Sequence, residues 1–218
     1  MTEVTTEEQI EVDPFSGLID YLKIQEKMYR EHTVFGDLSK DAPIRVADIY
    51  NWFIENAVPL TGMDVELTDA EMKLARFFEP EIKQCYYNSM MAPHSLEYWE
   101  GWATSMIPLN HAWNVKDGKV VDTTWSLLDH QREQAEDILY LGIKIPREFI
   151  MENLSINTRF KRADMGGPFL WDYAVKCIIE EKEQALENCK SYFAPQEEEY
   201  PLSGLGHKRV LFAPQEEE

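Results

Sequence analysis

The stretch Asn114-Val115-Lys116-Asp117-Gly118-Lys119-Val120-Val121 constrains this chain more than any other. Two apolar-alternating arms flank an Asp-Gly pair, the strongest local signal for a two-residue hairpin turn. With Asp117-Gly118 as the turn, Lys116 faces Lys119, and counting outward sets Trp113 opposite Asp122 and His111 opposite Thr124. Side chains alternate along a strand, so His111, Trp113, Asp122 and Thr124 are expected on one face. His111 and Asp122 become diagonal neighbours, their Cα atoms about 7–8 Å apart and their Cβ atoms somewhat closer. An imidazole and a carboxylate meet across that gap. A turn of odd length would send them to opposite faces.

Upstream, Pro80 interrupts a helix-like run and Tyr86-Tyr87-Asn88-Ser89-Met90-Met91-Ala92 reads as the start of another, so Cys85 is expected in a first helical turn. The partial positive charge there favours a thiolate, and free N–H groups at a helix start receive an oxyanion. The Cys85 amide is the natural donor, with Gln84 adding a second. Asn88, three positions on, covers the same helix face and is a candidate support for the site. Acyl transfer through sulfur needs a thiolate, an imidazole to carry a proton and a carboxylate to fix the imidazole, and Cys85, His111 and Asp122 supply the three in order. Four of the six tryptophans, Trp99, Trp102, Trp113 and Trp125, lie in the same stretch, with Tyr86 and Tyr87 beside the cysteine. Tyr86, Trp102 and Trp113 are expected to line a desolvated cleft. Aromatic-rich sheets also bury such rings simply as core.

These residues resemble the transglutaminase-like branch of the papain-like thiol enzymes. The family pattern is a cysteine opening a helix, a strand containing Gly, a strand beginning His-Ala-Trp, an Asp-Gly-Lys turn, and an Asp followed by Thr and an aromatic. It is matched here by Cys85, Tyr98-Trp99-Glu100-Gly101-Trp102-Ala103, His111-Ala112-Trp113, Asp117-Gly118-Lys119 and Asp122-Thr123-Thr124-Trp125. The resemblance covers about forty residues, with Tyr140-Leu141-Gly142-Ile143-Lys144-Ile145 as a further strand. It implies an α+β fold with helices packed on an antiparallel sheet and the nucleophile at a helix N-terminus. It also implies the roles of nucleophile, base and orienting acid for Cys85, His111 and Asp122. The expected activity is thiol-dependent acyl transfer on an amide or ester of a protein, peptide or small molecule. Water as acceptor makes a protease, amidase or deamidase; an amine makes a transferase.

Composition bounds the alternatives. A chain of 218 residues with 44% hydrophobic content buries one good core. The formal charge of −19 argues against nucleic acid or an anionic membrane as partner, since either demands a basic face. Residues 1–13 and 194–218 hold eleven of the 40 acidic and two of the 21 basic residues, leaving the body at −10. No secretory signal or membrane span is read in the sequence, and a reducing cytoplasm is the expected setting. Cys177 and Cys189 are too far apart on one helix to bridge. No spacing of metal ligands appears, so neither a metal nor another cofactor is expected. The runner-up function is a non-catalytic binding or inhibitory protein that keeps the scaffold and holds a basic protein partner.

Apolar spacing predicts helices from Phe15 to about Arg30 (Leu18, Tyr21, Leu22, Ile24, Met28) and from Ile44 to Ala57 (Val46, Ile49, Tyr50, Phe53, Ile54). The capping-box pattern Thr68-Asp69-Ala70-Glu71 opens a third, with Met72, Leu74, Ala75 and Phe78. A short helix follows Pro146, and a long one from Pro168 to Tyr192 is expected to cover the sheet with Trp171, Ala174, Val175, Ile178, Ala185, Cys189 and Tyr192. The domain expectation is an acidic flexible N-terminus (1–13), one α+β domain (14–193) and an acidic tail (194–218). Phe193-Ala194-Pro195-Gln196-Glu197-Glu198-Glu199 recurs as Phe212-Ala213-Pro214-Gln215-Glu216-Glu217-Glu218. The plain reading is a duplicated solvated tail. The sharper one is a glutamine-bearing segment that contacts the site of its own chain.

Overall fold

The computed structural model describes residues 13–30, 44–63, 68–69, 73, 77, 79–104, 107–157 and 168–193. Of the expected tails only Asp13 is described, and of the repeat only Phe193, which ends a helix; Met72, Leu74, Ala75 and Phe78 of the third expected helix also lie outside the described residues. The architecture is α+β. Helices α1 (Ser16–Tyr29) and α2 (Val46–Asn56) lead into strand β1 (Val58–Thr61). After α3 (Cys85–Met90) come β2 (Glu97–Thr104), β3 (Pro108–Lys116) and β4 (Lys119–Val121), then α4 (Asp129–Glu133), β5 (Leu139–Lys144), α5 (Arg147–Asn157) and α6 (Leu170–Phe193). One unit ends at Glu181 and a second begins at Lys182; in the second, residues 182–193 are the last turns of α6, where Gln184 donates to Asn188.

The sheet runs β1-β5-β2-β3-β4 with antiparallel neighbours throughout. It curls until the edge strands β1 and β4 touch. Each face therefore holds its own core. Tyr98, Trp102, Ala112, Leu141 and Ile143 face the helices and pack with Leu18, Leu22, Phe53, Ile150, Ala174 and Val175. On the other face Trp99, Ala103, Trp113, Val115 and Tyr140 pack with Met63, Trp125 and Ile138. Gly101 and Gly142 are register partners between these walls. A Cβ on Gly142 would enter the Trp113 indole, so the missing side chain is what lets that ring lie flat on the strand.

The β3–β4 turn follows the sequence pattern. Lys116 pairs with Lys119 and Asn114 with Val121, while Asp117 and Gly118 take φ of 51° and 78°, the left-handed values that a two-residue turn imposes. Strand β1 has no counterpart in the sequence reading; four residues with a Pro in second place and mostly exposed side chains carry no alternation to detect.

Two helix faces need correction. In α1, Leu18 and Leu22 are buried but Ile24 and Met28 are exposed; the inward stripe continues instead through Glu26, whose carboxylate is bridged by Arg30. An acid with its own cation one turn away is tolerated where spacing alone favours an apolar residue. In α6, burial stops at Ile178 and Ala185 is exposed, so the expected apolar stripe covers only the first half of the helix. Cys189 and Tyr192 lie where side chains are not described.

Candidate active site

Strand β4 stops at Val121, opposite Asn114. Toward its N-terminal end, β3 thus has β2 on one side and no strand on the other among the described residues. Backbone groups left by a short neighbour must find partners elsewhere. Helix α3 fills that gap. Ser89 donates its hydroxyl to Ala112 O at 2.9 Å, and Asn114 donates from Nδ2 to Ser89 O at 2.9 Å. Beyond the helix, Arg147 spans the carbonyls of Met90, Ala92, Pro93 and Leu96 at 3.1–3.3 Å and fixes the exit of the segment. The short β4 is therefore what brings the start of α3, with Cys85, against the middle of β3.

His111 projects from β3 to the face opposite the helices and is almost wholly buried, as is Asp122. The His111 Nε2 and Asp122 Oδ2 atoms are 2.5 Å apart. Oδ1 of the same carboxylate accepts the backbone N–H of Thr124 at 2.9 Å and of Trp125 at 2.8 Å, and Oδ2 also accepts the Tyr140 hydroxyl at 3.1 Å. Four donors surround one carboxylate, so Nε2 must carry its proton toward Asp122. That leaves Nδ1 as the other ring nitrogen, and the Cys85 side chain is close enough to favour the charged ring. Burial works against the charged imidazole, but the Asp122 charge, its hydrogen bond and the Cys85 side chain outweigh it and push the His111 pKa up to about 10. The imidazolium is thus the form this site holds at neutral pH. Trp125 covers it, stacked on the ring at 4.2 Å with planes 17° apart.

Cys85 is partly exposed and opens α3, and its amide precedes the first helical bond, from Asn88 N–H to Gln84 O. Gln84 can offer a second oxyanion donor only from its side-chain amide. Its backbone N–H is donated to Glu81 O at 3.2 Å, so its backbone is not a second oxyanion donor in this arrangement. Asn88 is buried and ties three pieces together: Oδ1 accepts Glu81 N–H at 3.1 Å, and Nδ2 donates to Glu81 O at 2.7 Å and to the Thr124 hydroxyl at 2.8 Å. It joins the loop before Cys85 to the loop after Asp122.

The three rings expected to line a cleft go to different places. Tyr86 is half-buried against the helix-side core, and burial, with Glu100 and Cys85 nearby, raises its hydroxyl well above the ordinary phenol range. Trp113 is fully buried beneath the site, its ring centroid 6.3 Å from that of His111. Trp102 is not at the site. It pairs with Asn110 in even register, faces the helices, and packs edge-on against Phe53 at 4.6 Å. Position in a rich stretch did not distinguish the two faces; parity did. Tyr140 was missed as a site residue, while Trp125, one of the four tryptophans of the stretch, is the ring stacked on the imidazole. The parity of Tyr140 with Gly142 was visible, but which strand lies beside β5 was not.

Among the described residues no group of three or more His, Cys, Asp or Glu side chains is placed to hold a metal ion, and no helix is long and apolar enough to cross a membrane. No protein-family model matches the chain, and no curated protein or solved structure matches it either.

Proposed function

We propose that the protein is a thiol-dependent acyl-transfer enzyme with Cys85 as nucleophile, His111 as proton carrier and Asp122 as the group that orients it. The observation that carries this reading is the buried His111–Asp122 pair with its four-donor carboxylate, beside a Cys85 side chain at a helix start that favours the charged imidazole. In the reaction, the Cys85 sulfur adds to the carbonyl carbon of an amide or ester. The oxygen takes the negative charge, with the Cys85 amide as its donor. His111 passes its Nδ1 proton to the leaving nitrogen or oxygen, the carbon–heteroatom bond breaks, and a thioester remains on Cys85. A water or an amine then gives a proton to Nδ1 as it attacks the thioester, and collapse releases the sulfur. Asp122 keeps its charge throughout and holds the Nε2 proton in place. The sequence resemblance and the helix start at Cys85 support a transglutaminase-like, papain-related core for the curled sheet.

The test is to trap the acyl group. Incubated with an activated ester, the protein is expected to gain one acyl mass on Cys85, lost to water and lost faster with an added primary amine if amines are acceptors. No adduct in the folded parent, or an equal adduct in Cys85→Ala, would return the chain to the binding-protein alternative.

A further inference from the structure

Asp122 is served by two kinds of donor. Its Oδ1 is held by the main chain at Thr124 and Trp125, while Oδ2 is shared between His111 and the hydroxyl of Tyr140. Tyr140 is on β5, two strands away from β3. Its ring is fully buried, 5.1 Å from Trp113 and 6.0 Å from Trp125 by centroids, so the hydroxyl has a fixed direction. A buried hydroxyl without an acceptor is costly, and the acceptor it has is the atom on which His111 depends.

We propose that Tyr140 is a positioning residue of the site: by donating to Oδ2 it takes up part of the carboxylate charge and sets how tightly Asp122 holds the His111 proton. This deepens the acyl-transfer reading and rests on it for its catalytic meaning. Oδ1 is pinned by two amides, so the carboxylate does not turn to compensate when the hydroxyl is lost. The titratable groups facing His111 are Asp122 on the β4 side and Cys85 on α3. Asp122 is also the charge that faces Tyr140, where burial and that carboxylate keep the hydroxyl protonated far above neutral pH. Tyr140 thus acts as a neutral donor across the working range.

An imidazolium held too tightly is a poor acid toward the leaving group, so the hydroxyl tunes proton transfer rather than merely filling space. Tyr140→Phe keeps the ring and removes only the donor. The His111 ring titration, followed by NMR in the full chain, is expected to move up by about one pH unit in this variant. Tyr98→Phe is the control. It too removes a buried hydroxyl from the sheet, but that hydroxyl is donated to Glu100 at 2.5 Å, on the helix face. It is expected to lower stability and leave the His111 titration in place. Biosynthetic 3-fluorotyrosine, a stronger donor, is expected to move the parent's His111 titration down, and gives the answer if Tyr140→Phe does not fold. An unmoved titration in the folded Phe variant, an equal shift in both Phe variants, or an upward shift with fluorotyrosine would overturn the proposal. Because the readout is the ring of His111, a failure of the acyl-transfer reading appears separately, as a parent protein that forms no adduct.

Discussion

At the scale of single residues, burial makes the His111–Asp122 pair demanding. Two groups taken from water lose several kcal/mol of hydration, and only good geometry and further donors restore it. Asp122 has those donors, so removing one partner hurts more than the pair's net worth. Asp122→Ala is expected to destabilise the fold by about 3–5 kcal/mol in urea unfolding, because it leaves the buried His111 ring N–H, two amides and the Tyr140 hydroxyl without their acceptor. A cost below about 1 kcal/mol, the range of exposed pairs, would contradict this. The sign of the pH dependence follows from His111. Its folded pKa, about 10, is above the ordinary imidazole value, so the stability it contributes is complete below pH 6.5 and is lost as pH rises through 10. Glu100 adds a second loss at lower pH. Burial raises its carboxyl to about 7 although Tyr98 and the Phe169 and Leu170 amides donate to it, so its protonated form is the favoured one in the fold. Stability is therefore expected to fall as pH rises from 4.5 through 7 on account of Glu100. Unfolding free energies across both windows check this, and the upper fall should vanish in His111→Ala.

At the scale of elements, the hairpin was legible and the partners of its faces were not. Asp117-Gly118 with alternating arms specified the turn and the register as far as Asn114 opposite Val121; β4 ends there, so the expected pairings of Trp113 with Asp122 and of His111 with Thr124 do not form, and Asp122 reaches His111 from the loop that follows. The start of α3 at Cys85 was legible for a similarly local reason, a proline followed by helix formers. Trp102, Tyr140 and β1 were not, since their places depend on which strands lie side by side, a long-range choice that one sequence does not display. The exposed Ile24 and Met28 show the same limit within a helix: apolar spacing names a stripe, and the neighbours decide whether it is covered. Asn88 joins elements that are distant in sequence. Asn88→Ala is expected to cost about 1–3 kcal/mol by removing the donor to the buried Thr124 hydroxyl and the tie between the two loops, and to slow acylation of Cys85 while the far-UV spectrum stays unchanged. Unchanged acylation in the folded variant would reduce Asn88 to a packing role. Gly142→Ala tests the sheet itself. Pushing a methyl group into the Trp113 ring is expected to destabilise by about 1–3 kcal/mol and to disturb the near-UV spectrum; a neutral result would mean that the ring is free to move.

At the scale of the whole molecule, the chain combines a curled sheet having a core on each face with a formal charge of −19. Self-repulsion of that size opposes compactness and is screened by salt, since the Debye length falls from about 30 Å at 0.01 M to about 10 Å at 0.1 M. The melting temperature is therefore expected to rise across that range, and a fall would show that attractive surface pairs dominate. The site depends on this larger frame through its two cores. One core seats the sheet on the helices; the other buries Trp113, Trp125 and Tyr140 around the imidazole and excludes water from Asp122.

The most direct measurement is the rate at which a small alkylating reagent modifies Cys85, compared with Cys177 and Cys189, across pH in the parent and in His111→Ala. Paired with an imidazolium, Cys85 is expected to react at neutral pH well ahead of the other two, and burial, which pushes the Cys177 thiol up, widens the difference. His111→Ala should remove the advantage while leaving the other cysteines unchanged. Equal rates for all three in the folded parent, or a Cys85 rate indifferent to the loss of His111, would contradict the account.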